Sequence, residues 1–173
     1  GVHYLRSQIS AVSAGSQYAE LAEITLSIIW KEVLYEFAKK FGPEPGNGAA
    51  VISMGSLGSG MLHANSDLDL IIIYDADGND QSEGDRSLSA RQYYSRLTKA
   101  FITAISAPMS EGRLYEIDMR LRPSGFQGPV ATSWSSYKNY QKNEAWVWEH
   151  LALTRARAVA GKSILFKEFE AFR

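Results

Sequence analysis

The chain contains no cysteine. Disulfides and thiolate metal sites are therefore excluded, and the usage fits a reducing compartment. An excess of one charge sign is also missing. Eighteen Lys and Arg against 19 Asp and Glu give a formal net charge of −1, which argues against a broad nucleic-acid footprint. No apolar run approaches the roughly 20 residues that span a bilayer. The first residues lack the basic-then-apolar pattern of a signal peptide, and His3 carries no argument. The expectation is a soluble, cytoplasmic protein that engages neither nucleic acid nor membrane.

What remains is ordinary globular material: 173 residues, 45% apolar and 21% charged, enough for one domain with a real core. The final residues, Phe166 to Arg173, read as helix up to the last position, so a fragment of a longer chain is expected.

Apolar residues at 26, 29, 30, 33, 34, 37 and 41 recur at steps of three and four. They predict a helix from about Tyr18 to Phe41, ended by Gly42-Pro43. Ala49 to Met54 predicts a strand, Gly55 to Gly60 a loop in which Leu57 could begin a short helical turn, and Asp67 to Tyr74 a second strand. Asp75 to Asp85 predicts an exposed loop. Ser89-Ala-Arg-Gln92 has capping-box spacing and opens a helix to about Ala107, where Pro108 stops it. Arg113 to Leu121 alternates and predicts a strand, with Asp118, Arg120 and Arg122 on its polar face. Helices are expected over 133–141, 144–159 and from Lys162 onward. The fold class is α+β: a mixed sheet with helices packed on one side, followed by a helical extension. The expected divisions are a lead-in over 1–17, a core over 18–132 and the extension over 133–173.

Asp67 and Asp69 begin an otherwise oily strand. One residue apart, they project to one side at about 6.6 Å along the backbone. Taken alone, such a pair reads as a solvated strand end. Asp118 on a second strand would add a third carboxylate, and three converging carboxylates repel unless cations lie among them. Mg²⁺ suits such oxygen donors, and a pair of ions suits phosphate transfer. Gly55-Ser56 follows a strand directly, so its backbone N–H groups and the Ser56 hydroxyl are candidates to hold phosphate. Arg120 and Arg122 could neutralise further phosphate charge; the alternative is a pair of solvated strand-face charges. Glu116 reads as a structural partner of an arginine, and His63 as lining the loop. Trp146, His150 and Leu153 share a helical face and suit core or domain packing. Gly161-Lys162-Ser163 looks like the end of a P-loop, but Ala156 stands where that motif needs glycine.

Gly55-Ser56, ten intervening residues and Asp67-Leu-Asp-Leu70 resemble the signature of the polymerase-beta-like nucleotidyltransferases. The likeness extends through Ser66 to Leu70, Tyr115 to Gly125, Glu144 to His150 and Thr154 to Arg157, and resembles the glutamine synthetase adenylyltransferase family over roughly residues 18–161. The resemblance implies that Asp67, Asp69 and Asp118 bind Mg²⁺, or Mn²⁺, and serve catalysis. It implies that Gly55 and Ser56 hold the ATP triphosphate, with Ser66, Arg120 and Arg122 assisting. A tyrosine hydroxyl of glutamine synthetase would accept AMP, and a PII signalling protein would regulate the full-length enzyme. Arg122-Pro-Ser-Gly125 and the Trp-x-Trp-Glu-His run look like the adenylylating half of that family. The alternatives are its adenylyl-removing half, or a degenerate domain that only binds nucleotide or a partner. Two departures stand out: Ser56 where the family usually has a basic residue, and Gly60-Met61 where it usually has Arg-Glu.

Overall fold

The computed structural model describes residues 9–110 and 112–173. His3 and the first half of the expected lead-in lie outside them. Helix α1 runs over Ala11–Phe41, starting well before Tyr18. Its added turns are small and polar, so they carry no apolar period. Ser10 caps them, accepting from the Ser13 N–H at 3.1 Å, which satisfies a donor the first helical turn would leave unpaired. Gly42, at φ +85°, ends the helix with its N–H on Ala38 O.

Strand β1 (Gly48–Ser53) is buried throughout. It lies between β2 (Leu68–Asp75) and β7 (Arg157–Gly161), antiparallel to both. On its other edge β2 pairs in parallel with β5 (Ile117–Asp118) and, further along, with β6 (Thr132–Ser133). The sheet is therefore mixed, as expected. A one-turn helix, α2 (Gly55–Gly58), joins β1 toward β2. Helix α3 (Ala90–Ser106) is capped by Ser89 and stops before Pro108. A small hairpin of β3 (Pro108–Met109) and β4 (Gly112–Arg113) follows.

Alternation along the strands divides the core in two. Val51, Leu68, Leu70 and Ile72 pack with Leu26, Trp30, Leu97 and Phe101 under α1 and α3. Ile52, Ile71 and Ile73 face the opposite way, onto Trp134, Tyr137, Leu165 and Phe169. Those residues come from α4 (Trp134–Asn143) and α6 (Ser163–Phe172). The expected single helical layer is thus α1 and α3, and the expected helical extension forms a second layer on the other face.

Three sequence expectations are corrected. The helix drawn over 144–159 is only α5 (Val147–Leu153), after which β7 returns to the sheet. Ala-rich sequence favours helix weakly, whereas the edge of β1 offers a ladder of backbone partners, and tertiary context wins. The strand drawn over 113–121 pairs with β2 only at 117 and 118, because the chain turns away immediately after Asp118. The loop at 75–85 is not simply exposed: Ser82 is buried and accepts from the Leu88 N–H at 3.0 Å. Among the described residues no helix is long and apolar enough to cross a membrane.

Candidate active site

The parallel register of β2 and β5 sets Asp69 directly beside Asp118. Paired residues in such a ladder project to the same face, with strands about 4.8 Å apart. Asp67 precedes the strand and is exposed. Asp69 is half-buried, and its carboxyl is pushed above the ordinary carboxylate range. Burial is the main cause, followed by the negative charge of Asp118; Asp67 adds to the push and Arg120 opposes it. Two carboxylates forced together in partly desolvated surroundings resist ionising unless positive charge is supplied.

Part of that charge is Arg120. Its Nε and Nη2 donate to Asp118 Oδ2 at 2.6 and 2.5 Å, and its backbone N–H donates to Oδ1 at 2.8 Å. These bonds hold the Asp118 carboxyl below its ordinary range, against a smaller opposing effect of burial. Arg120 itself is exposed, with 67% of its side-chain surface accessible. Among the described residues, no three acidic or histidine side chains stand close enough to form a ready metal cage. The expected pocket of three converged carboxylates is therefore an adjacent pair with a third nearby, one member turned onto an arginine. By donor chemistry the three residues fit a hard divalent cation, since every side-chain donor is a carboxylate oxygen.

The turn after β1 meets this pair. Gly55 has φ +53°, and a Cβ there would collide with Asp69 Oδ2. Only glycine allows both the left-handed backbone and the approach to the carboxylate. The Met54 N–H donates to Asp69 O at 2.8 Å, which fixes turn and strand together. Ser56 is exposed at the head of α2, where the expected phosphate contact would require it.

Two other expected phosphate residues are placed otherwise. Ser66 Oγ accepts from the His63 N–H at 3.2 Å and the Ser66 N–H donates to His63 O at 3.1 Å. Its side chain closes the loop before Asp67. Arg122 is buried, and its guanidinium donates to three carbonyls: Met119 at 2.9 Å, Phe126 at 3.1 Å and Gly128 at 3.3 Å. It is neither on an open strand face nor available to phosphate. It winds the loop that follows Asp118, and only its field reaches that aspartate.

Glu116 does pair with an arginine, Arg113, at 3.6 Å. The Trp146 and Trp148 side chains are exposed rather than in the core. The inward residue of that run is Glu149, which accepts from the Tyr140 hydroxyl at 3.0 Å and the Trp146 N–H at 3.1 Å. His150 Nε2 shares a hydrogen with Gln141 O at 2.8 Å. A strand does precede Gly161-Lys162-Ser163, but the missing glycine still excludes a P-loop.

Cavity volume and chemistry point to different places. A cavity of about 680 Å³ runs along α4 past Tyr74, Arg91, Ser124 and Tyr140, and none of the three aspartates lines it. A depression of about 290 Å³ is lined by Ser66, Asp67 and Tyr115. Perturbed carboxylates beside a glycine turn are the stronger indicator of chemistry, since shifted pKa values concentrate at functional sites. Arg157, which in the sequence only closes the family-like run Thr154 to Arg157 and has no assigned role, reaches the glycine turn from β7. Its acidic partner, Glu23, is 134 residues away, and no local pattern links them.

A mixed sheet with Asp-x-Asp leading into one strand, a third aspartate on the next and a glycine turn beside them is the architecture of a nucleotidyltransferase-like domain. The model of the glutamate-ammonia ligase adenylyltransferase family matches residues 7–172, and the chain belongs to that family. A bifunctional glutamine synthetase adenylyltransferase/adenylyl-removing enzyme of Mesorhizobium japonicum is 46% identical over 172 residues, 99% of this chain and 17% of the relative. Enzymes with the same name from Rhizobium meliloti and Agrobacterium fabrum are 45% and 46% identical, over 99% and 97% of this chain. The chain spans about one-sixth of the length of these curated relatives.

Proposed function

We propose that this domain transfers AMP from ATP to a tyrosine hydroxyl of glutamine synthetase, using Asp67, Asp69 and Asp118 with a divalent cation. A PII protein is the proposed regulator of the longer enzyme. The observation that carries the proposal is that Asp69, paired with Asp118 across the ladder, lies directly against Gly55. It unites the acidic pair with the turn suited to polyphosphate.

Asp67, Asp69 and Asp118 would hold Mg²⁺ or Mn²⁺. Such ions, when bound, neutralise phosphate charge and favour attack at phosphorus. The turn at Gly55 and Ser56 orients the triphosphate through backbone N–H groups and one hydroxyl. The acceptor oxygen attacks the α-phosphorus, the bond to the β-phosphate oxygen breaks, and pyrophosphate leaves. While Arg120 grips both oxygens of Asp118, that carboxylate is a poor base. Because Arg120 is exposed, it can exchange Asp118 for a phosphate oxygen, which would free Asp118 to accept the tyrosine proton.

The relatives' name carries two activities, so the test has two arms. Label from [α-³²P]ATP is expected on glutamine synthetase with Mg²⁺ and the wild-type chain, and not with Asp69→Asn. Release of ADP from adenylylated synthetase and phosphate, without label transfer, would instead assign the removing reaction. Neither product would leave a binding domain without turnover.

A further inference from the structure

The glycine turn is gripped from behind by Arg155, just before β7, and by Arg157, the first residue of that strand. Gly58 packs so closely on the Arg155 carbonyl that a Cβ would overlap its oxygen. The buried Ser53 hydroxyl donates to Arg157 O at 2.9 Å. The Arg157 side chain then crosses to the turn, where Nη2 donates to Leu57 O at 3.3 Å. The same carbonyl accepts from the Gly60 N–H at 2.9 Å. Nη2 also pairs with the Glu23 carboxylate of α1. Residue 60 has no side chain, and the nearest atom to where one would begin is Arg157 Nη2, at 3.7 Å.

We propose that Arg157, aligned by Glu23, is a positioning residue that fixes the glycine turn for the nucleotide triphosphate. The inference rests on the nucleotidyl-transfer function proposed above. The one-turn helix is held by few hydrogen bonds of its own, and the guanidinium is a second donor on a Leu57 carbonyl that already takes the Gly60 N–H. A guanidinium that joins the Leu57 carbonyl to the Glu23 carboxylate ties the turn to α1 and β7 at once and restrains it. Glu23 limits where the guanidinium can lie. Neither residue touches the reacting atoms. Their effect is on where Gly55 and Ser56 stand when the triphosphate arrives, so it falls on nucleotide affinity more than on chemistry.

The test compares wild type with Arg157→Gln, Arg157→Lys, Glu23→Gln and the Arg157→Gln/Glu23→Gln double variant. Amide hydrogen exchange is the readout that does not depend on activity. Exchange at residues 57–61 should quicken in Arg157→Gln and Glu23→Gln, with the centres of β1 and β2 unchanged. In label transfer, Arg157→Gln should raise KM for ATP about tenfold with kcat within about threefold. Glu23→Gln should show a smaller rise of the same kind. The double variant should match Arg157→Gln alone, since Glu23 acts through Arg157. Arg157→Lys should recover part of the loss. Glu23 lies on a helix face, so its variant remains informative if Arg157→Gln does not fold. Unchanged exchange in the turn, additive effects, or a fall in kcat at constant KM that tracks a lower Tm would overturn the proposal. If wild type restrains the turn as described yet neither binds ATP nor transfers label, the function assigned to the site fails. If wild type is active and Arg157→Gln equals it, the positioning role alone fails.

Discussion

The turn at Gly55–Gly60 and the loop at Met119–Gly128 lead away from the same pair of aspartates, yet they are held by opposite means. The first is short, contains a left-handed glycine and is braced from outside by Arg157 and the Arg155 carbonyl. The second is wound around its own buried arginine, with three carbonyls converging on Arg122. A turn with the proposed task of approaching a polyphosphate cannot fill its interior with a side chain. A loop that only has to carry Asp118 and Arg120 at its start can.

The sharpest break in this comparison is Gly55→Ala. The new Cβ would strike the Asp69 carboxylate and require a left-handed conformation, costing about 1–2 kcal/mol for the backbone alone. Label transfer should fall by about 100-fold or more, since small misplacements at reacting centres are that costly. Steady-state kinetics together with Tm separates this local damage from unfolding.

The second break falls on the other loop. Arg122→Met leaves the Met119, Phe126 and Gly128 carbonyls without their donor, which should destabilise the chain by roughly 2–4 kcal/mol in urea unfolding. Arg122→Lys should restore little, because an ammonium cannot fork to three separated carbonyls.

A smaller, oppositely signed effect is expected at Asp69. Its raised pKa means that the folded chain resists the charged form. The cost is present above the folded pKa and fades as pH falls through it. With EDTA at neutral pH, Asp69→Asn should therefore have a higher Tm than wild type, and the gap should narrow in acid. The same variant should transfer no label, so stability and activity would move in opposite directions.

The mildest change is Arg120→Gln. Asp118 has a lowered pKa chiefly because of its hydrogen bonds to Arg120. The stabilisation it provides exists above the unfolded pKa and is lost as pH falls through the folded one. Without Arg120, the Asp118 titration followed by NMR should move upward, while Tm at neutral pH changes little because the arginine is exposed.

The same contrast explains what could be read from sequence. The two central strands and the placement of Gly55 and Asp69 at their junction were legible because they lie in one local pattern: a glycine turn, a fixed spacing and an apolar run; Asp67 falls one residue short of the strand drawn through it. Helix α3 was legible from its cap at Ser89 and its stop at Pro108. Strand β7 was not, because Arg157-Ala-Val-Ala-Gly161 has no strong period of its own and takes its form from β1. Arg122 was misplaced for a related reason. Alternation through residue 121 suggested that the strand continued, whereas Asp118 draws in the Arg120 N–H and starts a turn. The Glu23–Arg157 pair joins opposite ends of the chain and left no local trace.

Binding of Mn²⁺ in the presence of a non-hydrolysable ATP analogue, followed by the loss of the free-ion EPR signal, tests the central claim most directly. The wild-type chain should sequester Mn²⁺ when the nucleotide is present, and both Asp69→Asn and Asp118→Asn should fail to do so while remaining folded. Equal uptake of Mn²⁺ by the three proteins would contradict the assignment of these carboxylates as the cation and nucleotide site.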